Sequence, residues 1–548
     1  MSISLRGVAI GLSLSAQAYV LYYAYHYGVL RGLILWDDCG VILRGFENLD
    51  RLAHTESLMH ALRPGRFEIH APLSDVQAPI GLLLSGGQIW GPYLLNVICP
   101  ALVLVTILQT VDRQNWALAV AIVLFIFVQP LTINAQTYVV SDWKGGLLLA
   151  GALFLLNFGV EEQRPDFKLL AATLLGLAIL SKLTAFYLPL LALVILLLFE
   201  WYSAIFETWQ RFVFWLFGTK TTLSPRPTLT SADRRTFALR ATIAVCPFLL
   251  FFVHSLESTA SYIQSAMGSF WDDGLTTLER TRYYSPFGPD AGGSWGTLHV
   301  FFLIFVGAAL WIAWRRRDHR YFVSLLILAL LSALFFIPLI VYHDSHSSFG
   351  ATFLGVIMAT TLISMDFIAR SLPGRGSLAI LATTVLIALP SALPIQNGPY
   401  ASSYSFRGDE LRQLAYTYAR IVDIMSVYAR RETPAIVVLY EHNLAPYPNL
   451  AIRYFQKTGH LANVTRVDDF SDIGVRSLLL NADFALTIVP NPKRSTQLIP
   501  GLGRRFPTSH APERAEELIH TLGRFDLVDT FAVRGGEIHL YAAVKPSY

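Results

Sequence analysis

The chain has 548 residues, of which 54% are hydrophobic and only 15% are charged, and its formal net charge is +4. Soluble globular domains carry about 25% charged residues, whereas the apolar residues of this chain form blocks long enough to cross a hydrocarbon layer of ~30 Å. The composition therefore excludes an ordinary soluble protein and predicts an α-helical polytopic membrane protein.

The apolar blocks predict eleven transmembrane helices, of which the first is an uncleaved N-terminal helix. They cover residues 7–26, 91–111, 116–134, 143–160, 169–181, 184–200, 238–254, 298–314, 321–341, 351–369 and 377–394. Short cytoplasmic loops are enriched in Lys and Arg. The loops that contain Arg164, the run RRRDHR at 315–320 and Arg370 are therefore expected inside. This orientation places the N-terminus inside and the C-terminus outside.

The composition changes after residue 395, where charged residues become frequent. Residues 395–548 contain 17 Lys or Arg and 15 Asp or Glu without a basic stripe, which argues against a nucleic-acid partner. Buried strands are predicted at 435–442 and 484–490, amphipathic helices at 409–431 and 512–525, and a hairpin that turns at Gly535 and Gly536. This pattern is typical of a soluble α/β domain.

Two domains are predicted from these observations. Residues 1–394 form the membrane domain, with long outer loops at 27–90 and 255–297, and residues 395–548 form the α/β domain on the outer face. The chain is expected to reside in the cytoplasmic (inner) membrane.

The candidate functional residues collect on the outer side of this topology. They are Asp37 and Asp38 in WDD, His70 in the same loop, Asp142 at the start of the fourth helix, Lys182 between the fifth and sixth helices, and His343 and His346 in YHDSHSSFG. Charged residues near a bilayer are costly and usually face a wet functional cavity. We therefore expect one aqueous pocket at the outer membrane surface.

Such a pocket suits one kind of chemistry. A carboxylate can take a proton from a hydroxyl and make its oxygen nucleophilic, and a cationic side chain can neutralise a phosphate leaving group. A phosphate that carries a long isoprenoid tail would lie at the interface, with the tail among the helices. The set of residues predicts transfer of a sugar from a lipid phosphate.

Three short motifs resemble the GT-C glycosyltransferases, the multi-spanning enzymes that use polyprenyl-phosphate sugars. WDD at 36–38 supplies an acidic pair after the first helix. HAPL at 70–73 is similar to the HPPL stretch of the protein O-mannosyltransferase and aminoarabinose transferase relatives, and LAILSKLTAFYLPLLAL at 177–193 resembles their helix-lysine-helix segment. The resemblance covers residues 1–394 and implies a GT-C-like fold.

The resemblance implies a role for each candidate. One aspartate of the first pair is the general base that deprotonates the acceptor, which we assign to Asp37 with Asp38 as its partner. Lys182, His343 and His346 are candidates to hold the donor phosphate, and His70 and Asp142 are candidates to support the acceptor or a metal.

The cofactor stays open at this point. In some relatives the position matched by Asp142 helps to bind a divalent cation, so Mg²⁺ or Mn²⁺ is the cofactor that the resemblance allows. This chain has Ala71 in place of the first Pro of HPPL, and Asp142 stands alone instead of in an acidic pair.

The function expected from the sequence is an inverting transfer of a sugar from a polyprenyl-phosphate donor to a hydroxyl of a lipid, glycan or protein acceptor on the outer face. Structural explanations also exist, since Asp37 and Asp38 can cap a helix or pair with Arg44, and Lys182 can anchor a helix at the interface. Two other functions stay open. A lipid transporter or flippase would place its charges near the bilayer midplane, and an O-antigen-ligase or polymerase-type enzyme would use an undecaprenyl-diphosphate donor.

Overall fold

The structure is a computed structural model of the full chain. It describes residues 5–26, 30, 34, 36–54, 72–112, 115–139, 142–181, 188–217, 235–247, 249, 276–285, 295–341, 350–392, 408–439, 448–466, 472–490, 512–533 and 536–544. The described residues form two compact units. The first comprises parts of 1–20, 62–76 and 94–403, and the second comprises parts of 21–61, 77–93 and 404–548.

The described helices of residues 1–394 include those of the apolar blocks and others in the segments between them. They are α1 (Leu5–His26), α2 (Trp36–His54), α3 (Pro72–Leu84), α4 (Trp90–Leu94), a 3₁₀ turn (Leu95–Val97), α5 (Ile98–Leu108), α6 (Trp116–Phe127), α7 (Pro130–Thr137), α8 (Asp142–Glu161), α9 (Pro165–Leu180), α10 (Leu188–Glu200), α11 (Tyr202–Phe217), α12 (Thr277–Tyr283), α13 (Leu298–Arg316), α14 (His319–Val341), α15 (Ala351–Ser371) and α16 (Arg375–Ala392).

Several of these helices are long and apolar enough to cross a membrane. Among the described residues five qualify, or seven if each of two bent helix pairs is one span. The chain is thus an integral membrane protein with several apolar helices, and the total of eleven spans remains a prediction.

One predicted span is broken in the structure. The apolar block 116–134 forms α6 and α7, which meet at an angle of 59°. Pro130 lacks a backbone N–H and disfavours helical geometry at the residue before it, and Gln129 accordingly has extended backbone angles of φ −81° and ψ 141°. The single helix predicted at 116–134 is therefore a bent pair of helices in the structure.

Helix α8 lies at the centre of the first unit and is buried along most of its length. It packs against α9 and α15. The crossing with α15 is close, since a methyl group added at Gly355 would lie 2.4 Å from the Gly146 carbonyl oxygen. Two glycines thus let the backbones of α8 and α15 touch, as small residues commonly do between membrane helices.

The second unit contains a five-stranded mixed sheet. Its elements are α17 (Gly408–Tyr428), β1 (Ala435–Val438), α18 (Pro448–Thr458), β2 (Asn463–Arg466), α19 (Asp472–Asn481), β3 (Phe484–Pro490), α20 (Pro512–Leu522), β4 (Phe525–Val533) and β5 (Gly536–Ala543). The strand order is β2-β1-β3-β5-β4. The first three strands are parallel, and β5 is antiparallel to both β3 and β4.

The strands and helices that the sequence predicted in this region are present. β1 and β3 are the two predicted strands, and Val533 pairs with Gly536 at the end of the predicted hairpin. The short strand β2 was not predicted, because four residues carry too little of an alternating pattern. The unit also includes α2 and part of α3, which lie in the loop 27–90.

Candidate active site

Two charged residues stand at the beginning of α8. Asp142 is its first residue and is half-buried, and Lys144 is only 2% exposed. The Lys144 Nζ donates to the Val139 carbonyl oxygen at 2.7 Å, and the Ser74 Oγ donates to the same oxygen at 2.8 Å. A buried ammonium group in an apolar helix is costly without a hydrogen-bond acceptor. The Val139 carbonyl oxygen supplies this acceptor for Lys144, close to Asp142 in the sequence.

The polar groups around this end of α8 come from four distant segments. The last carbonyls of a helix lack partners within the helix, and at the end of α7 side chains supply them. The Gln136 carbonyl oxygen accepts from Gln17 Nε2 at 3.1 Å and from Asn96 Nδ2 at 2.8 Å. Together with Ser74, these residues connect α1, α3 and the 3₁₀ turn to residues 136–139, which precede Asp142.

Two further helix ends meet α8 beside Asp142. A methyl group at Gly145 would lie 2.2 Å from Ser181 Oγ, at the end of α9. A methyl group at Gly146 would lie 2.2 Å from the Ala351 carbonyl oxygen, at the beginning of α15. Ser181 immediately precedes Lys182, and Ala351 follows the segment that contains His343 and His346. The described flanks of two predicted site segments therefore converge within four residues of Asp142.

A small apolar cavity of about 20 Å³ lies at the same place. It is lined by Gly145 and by residues of α8, α9, α10, α14 and α15, namely Leu149, Leu175, Ala178, Ile179, Ala192, Ile195, Phe335 and Thr352. The lining carries no ionisable side chain, and the volume is that of about one water molecule.

The predicted acidic pair lies in the first turn of a helix. Asp37 and Asp38 are the second and third residues of α2, and the Asp38 side chain is 2% exposed. The side chain of Asp37 lies outside the described residues. Acidic residues are common in the first turn of a helix, where the macrodipole favours negative charge.

Four predicted site residues, namely His70, Lys182, His343 and His346, lie outside the described residues. Within the part of the chain that the structure describes, no three His, Cys, Asp or Glu side chains are grouped as metal ligands. The divalent cation that the resemblance allows stays a prediction.

The opposite end of α8 carries an ion-pair network. Arg370 Nη2 lies 2.5 Å from Glu161 Oε2 and 2.6 Å from Asp366 Oδ2, and its Nη1 lies 3.3 Å from Glu162 Oε1. Asn157 donates to Glu161 at 3.0 Å and accepts from Ser324 of α14 at 2.7 Å. Between Lys144 and Glu161 the helix has no ionisable residue, so its charges lie at both ends, about 30 Å apart for 20 residues.

One part of the sequence matches a known family. Residues 69–222, rather more than a quarter of the chain, match the family model described as dolichyl-phosphate-mannose-protein mannosyltransferase. The matched part includes Asp142, Lys144 and Lys182, whereas Asp37 and Asp38 precede it.

Two solved structures are similar to this chain over almost its whole length. They are crystal structures of ArnT from Cupriavidus metallidurans, in the apo state and bound to undecaprenyl phosphate, with TM-scores of 0.49 and 0.48. Each is 11% identical and covers 96% of this chain and 97% of its own chain. No curated protein matches the sequence.

One residue of the site is missing from the predicted set. Lys144 is placed in the site by its burial and by its hydrogen bond to Val139, two features that the sequence does not show. A signal was available, because an ionisable residue inside an apolar helix indicates a functional position by default.

Proposed function

We propose that this chain is a membrane glycosyltransferase that moves a sugar from a polyprenyl-phosphate donor to a hydroxyl of a lipid, glycan or protein acceptor on the outer face of the membrane, with inversion at the anomeric carbon. The observation that carries this proposal is the convergence of the ends of α9 and α15 on Gly145 and Gly146, beside Asp142 and the buried Lys144.

The reaction follows from the roles assigned to the candidate residues. Asp37, with Asp38 as its partner, takes the proton of the acceptor hydroxyl, and the oxygen attacks the anomeric carbon as this carbon gains oxocarbenium character. The bond from the anomeric carbon to the phosphate oxygen breaks, and the polyprenyl phosphate leaves with the electron pair. A single displacement of this kind inverts the anomeric centre.

Cationic side chains stabilise the phosphate as its charge increases. Lys182, His343 and His346 hold the donor phosphate in this proposal, and Lys144 adds a positive charge at the same end of α8. His70 and Asp142 orient the acceptor. In this proposal the donor's hydrocarbon chain lies in a groove among the middle helices. No step uses a metal ion.

The distribution of charge supports the proposed orientation. Residues near the Glu161 end of the spanning helices include a set of arginines, namely Arg164, Arg240, Arg315, Arg316, Arg317, Arg320, Arg370 and Arg375. Cytoplasmic ends of membrane helices are enriched in Arg and Lys. The Asp142 end of α8 then faces the outside, and the chain is inserted in the cytoplasmic membrane. A transporter is not favoured, because the middle of α8 carries no charge.

The test compares cells that carry Asp37→Asn with cells that carry Asp50→Asn. Both carboxylates lie on α2, but Asp50 is more than three turns from the helix start. We expect the polyprenyl-linked sugar to accumulate and one envelope glycan to lose a residue only in the Asp37→Asn cells, as measured by mass spectrometry. Unchanged lipid-linked and glycan pools in these cells would show that the assignment of the base is wrong.

A further inference from the structure

The segment that leads into α2 is hydrogen-bonded to the sheet-containing part of the second unit. The Ile34 backbone N–H donates to Asn449 Oδ1 at 2.8 Å, and Asn449 Nδ2 donates to the Ile34 carbonyl oxygen at 2.9 Å. Each of the two residues is 1% exposed. An amide side chain offers a donor and an acceptor together, so the two bonds hold the peptide groups of Ile34 in one orientation.

The same two parts of the chain also pack through apolar side chains. The rings of Phe46 on α2 and Phe455 on α18 have centroids 5.0 Å apart, and Phe46 is fully buried. A methyl group at Gly45 would lie 3.0 Å from side-chain atoms of both Ala78 and Leu82 on α3. Helix α2 is therefore packed against α18 and α3, which leaves its axis little freedom to move.

The position of Ile34 determines where α2 begins. Ile34 lies two residues before the first helical residue, Trp36, and three residues before Asp37. Each intervening residue has only two soft backbone dihedral angles, so a fixed peptide at residue 34 restricts the direction of the first turn. Without the Asn449 amide, the Ile34 N–H and C=O would be buried without these partners, which is unfavourable.

We propose that Asn449 is a positioning residue, which holds the first turn of α2 and thereby places Asp37 and Asp38 in the geometry that sugar transfer requires. The proposal rests on the proposed function, because it takes these two aspartates as the reacting carboxylates. It assigns a catalytic contribution to the C-terminal sequence, 415 residues away from Ile34 along the chain.

The test uses the full-length protein purified in detergent, in three variants. Asn449→Leu removes both hydrogen bonds and keeps the side chain similar in size. Phe455→Leu is a milder change that weakens the packing of α18 on α2 and keeps the amide. Leu479→Ala is the matched control, because Leu479 is fully buried in the core that covers β1 and β3 and is not part of the α2–α18 contact.

Two measurements separate positioning from loss of folded protein. Hydrogen exchange measures the exchange rate of the backbone amides in residues 36–46, and the amides of β3 and β5 serve as the reference. Steady-state kinetics use the polyprenyl-linked sugar extracted from Asp37→Asn cells as the donor. For Asn449→Leu we expect faster exchange at the start of α2 only and a kcat that falls roughly 10- to 100-fold. The donor KM should stay within about twofold, because ground-state binding of the donor is not changed.

Phe455→Leu should give a smaller effect in the same direction, and Leu479→Ala should lower the Tm without lowering kcat per folded molecule. Normal exchange in α2 of Asn449→Leu, or a normal kcat despite faster exchange, would overturn the positioning role while Asp37→Asn still blocked the reaction. Normal glycans in cells with Asp37→Asn and with Asp38→Asn would instead overturn the proposed base, and the positioning role with it.

Discussion

Lys144 shows how a single residue combines a structural and an electrostatic role. Its ammonium group is buried and shares the Val139 carbonyl oxygen with Ser74. This carbonyl keeps a donor if either side chain is lost, so neither substitution leaves it without a partner. Of Lys144 and Ser74, only Lys144 carries a positive charge. Lys144 lies two positions after Asp142 in the sequence.

Replacement of Lys144 by methionine should therefore affect the reaction more than the fold. We expect Lys144→Met to lower the rate of glycan transfer roughly 100-fold, the effect of removing one stabilising donor from a transition state, with a Tm close to that of the wild type. Ser74→Ala is the control, since it removes the other donor to Val139 and no charge. Transfer would be measured by mass spectrometry of the glycan at equal membrane levels of protein. Equal rates in the two variants would assign Lys144 a purely structural role.

At the scale of elements, the close crossing of α8 and α15 brings the start of α15 to Asp142. The contact depends on Gly146 and Gly355, because a methyl group at Gly355 would lie 2.4 Å from a backbone oxygen. Backbone atoms cannot move aside as a flexible side chain can. The two helices would have to separate to accept even one additional carbon.

Gly355→Ala should thus destabilise the protein by about 1–3 kcal/mol, the usual cost of overpacking a core. The matched control is Gly307→Ala on α13, where a methyl group would have no neighbour within 4 Å. That change should be neutral or slightly stabilising, because alanine favours helices more than glycine does. Thermal unfolding in detergent measures both variants, and a Tm for Gly355→Ala equal to that of Gly307→Ala would refute the close crossing.

At the scale of the whole molecule, the bundle has two chemically different ends. The Asp142 end of α8 carries the candidate site, and the Glu161 end carries the network around Arg370. Since the bilayer separates two compartments, only one of these ends meets the outer substrates. The excess of arginine at the Glu161 end predicts that this end is cytoplasmic.

Cysteine labelling tests this orientation. Cys246 is exposed, whereas Cys39 and Cys99 are buried, so a Cys246→Ser background leaves no exposed native thiol among the described residues. Arg317→Cys, between α13 and α14, should react with a membrane-impermeant maleimide only after the membrane is permeabilised. Ser477→Cys on α19 should react in intact cells. Both positions are exposed in the structure, and the reverse pattern of labelling would invert the proposed topology.

The sequence by itself determined the properties that depend on neighbouring residues. Apolar blocks predicted the membrane-spanning helices, short apolar runs predicted β1 and β3, and the turn at Gly535 and Gly536 predicted the hairpin of β4 and β5, because hydropathy and turn composition are local. The motifs WDD and HAPL indicated the GT-C class for the same reason, since each is a short run of residues.

Only the tertiary structure decided which groups meet. The break of the predicted span 116–134 at Pro130 is a partial exception, since its cause is in the sequence but its angle of 59° is not. The burial of Lys144, the contacts of Gly145 and Gly146 with α9 and α15, and the hydrogen bonds of Asn449 to Ile34 join residues far apart in the chain. A contact between distant segments has no local signature, because its free energy depends on the packing of every element between them.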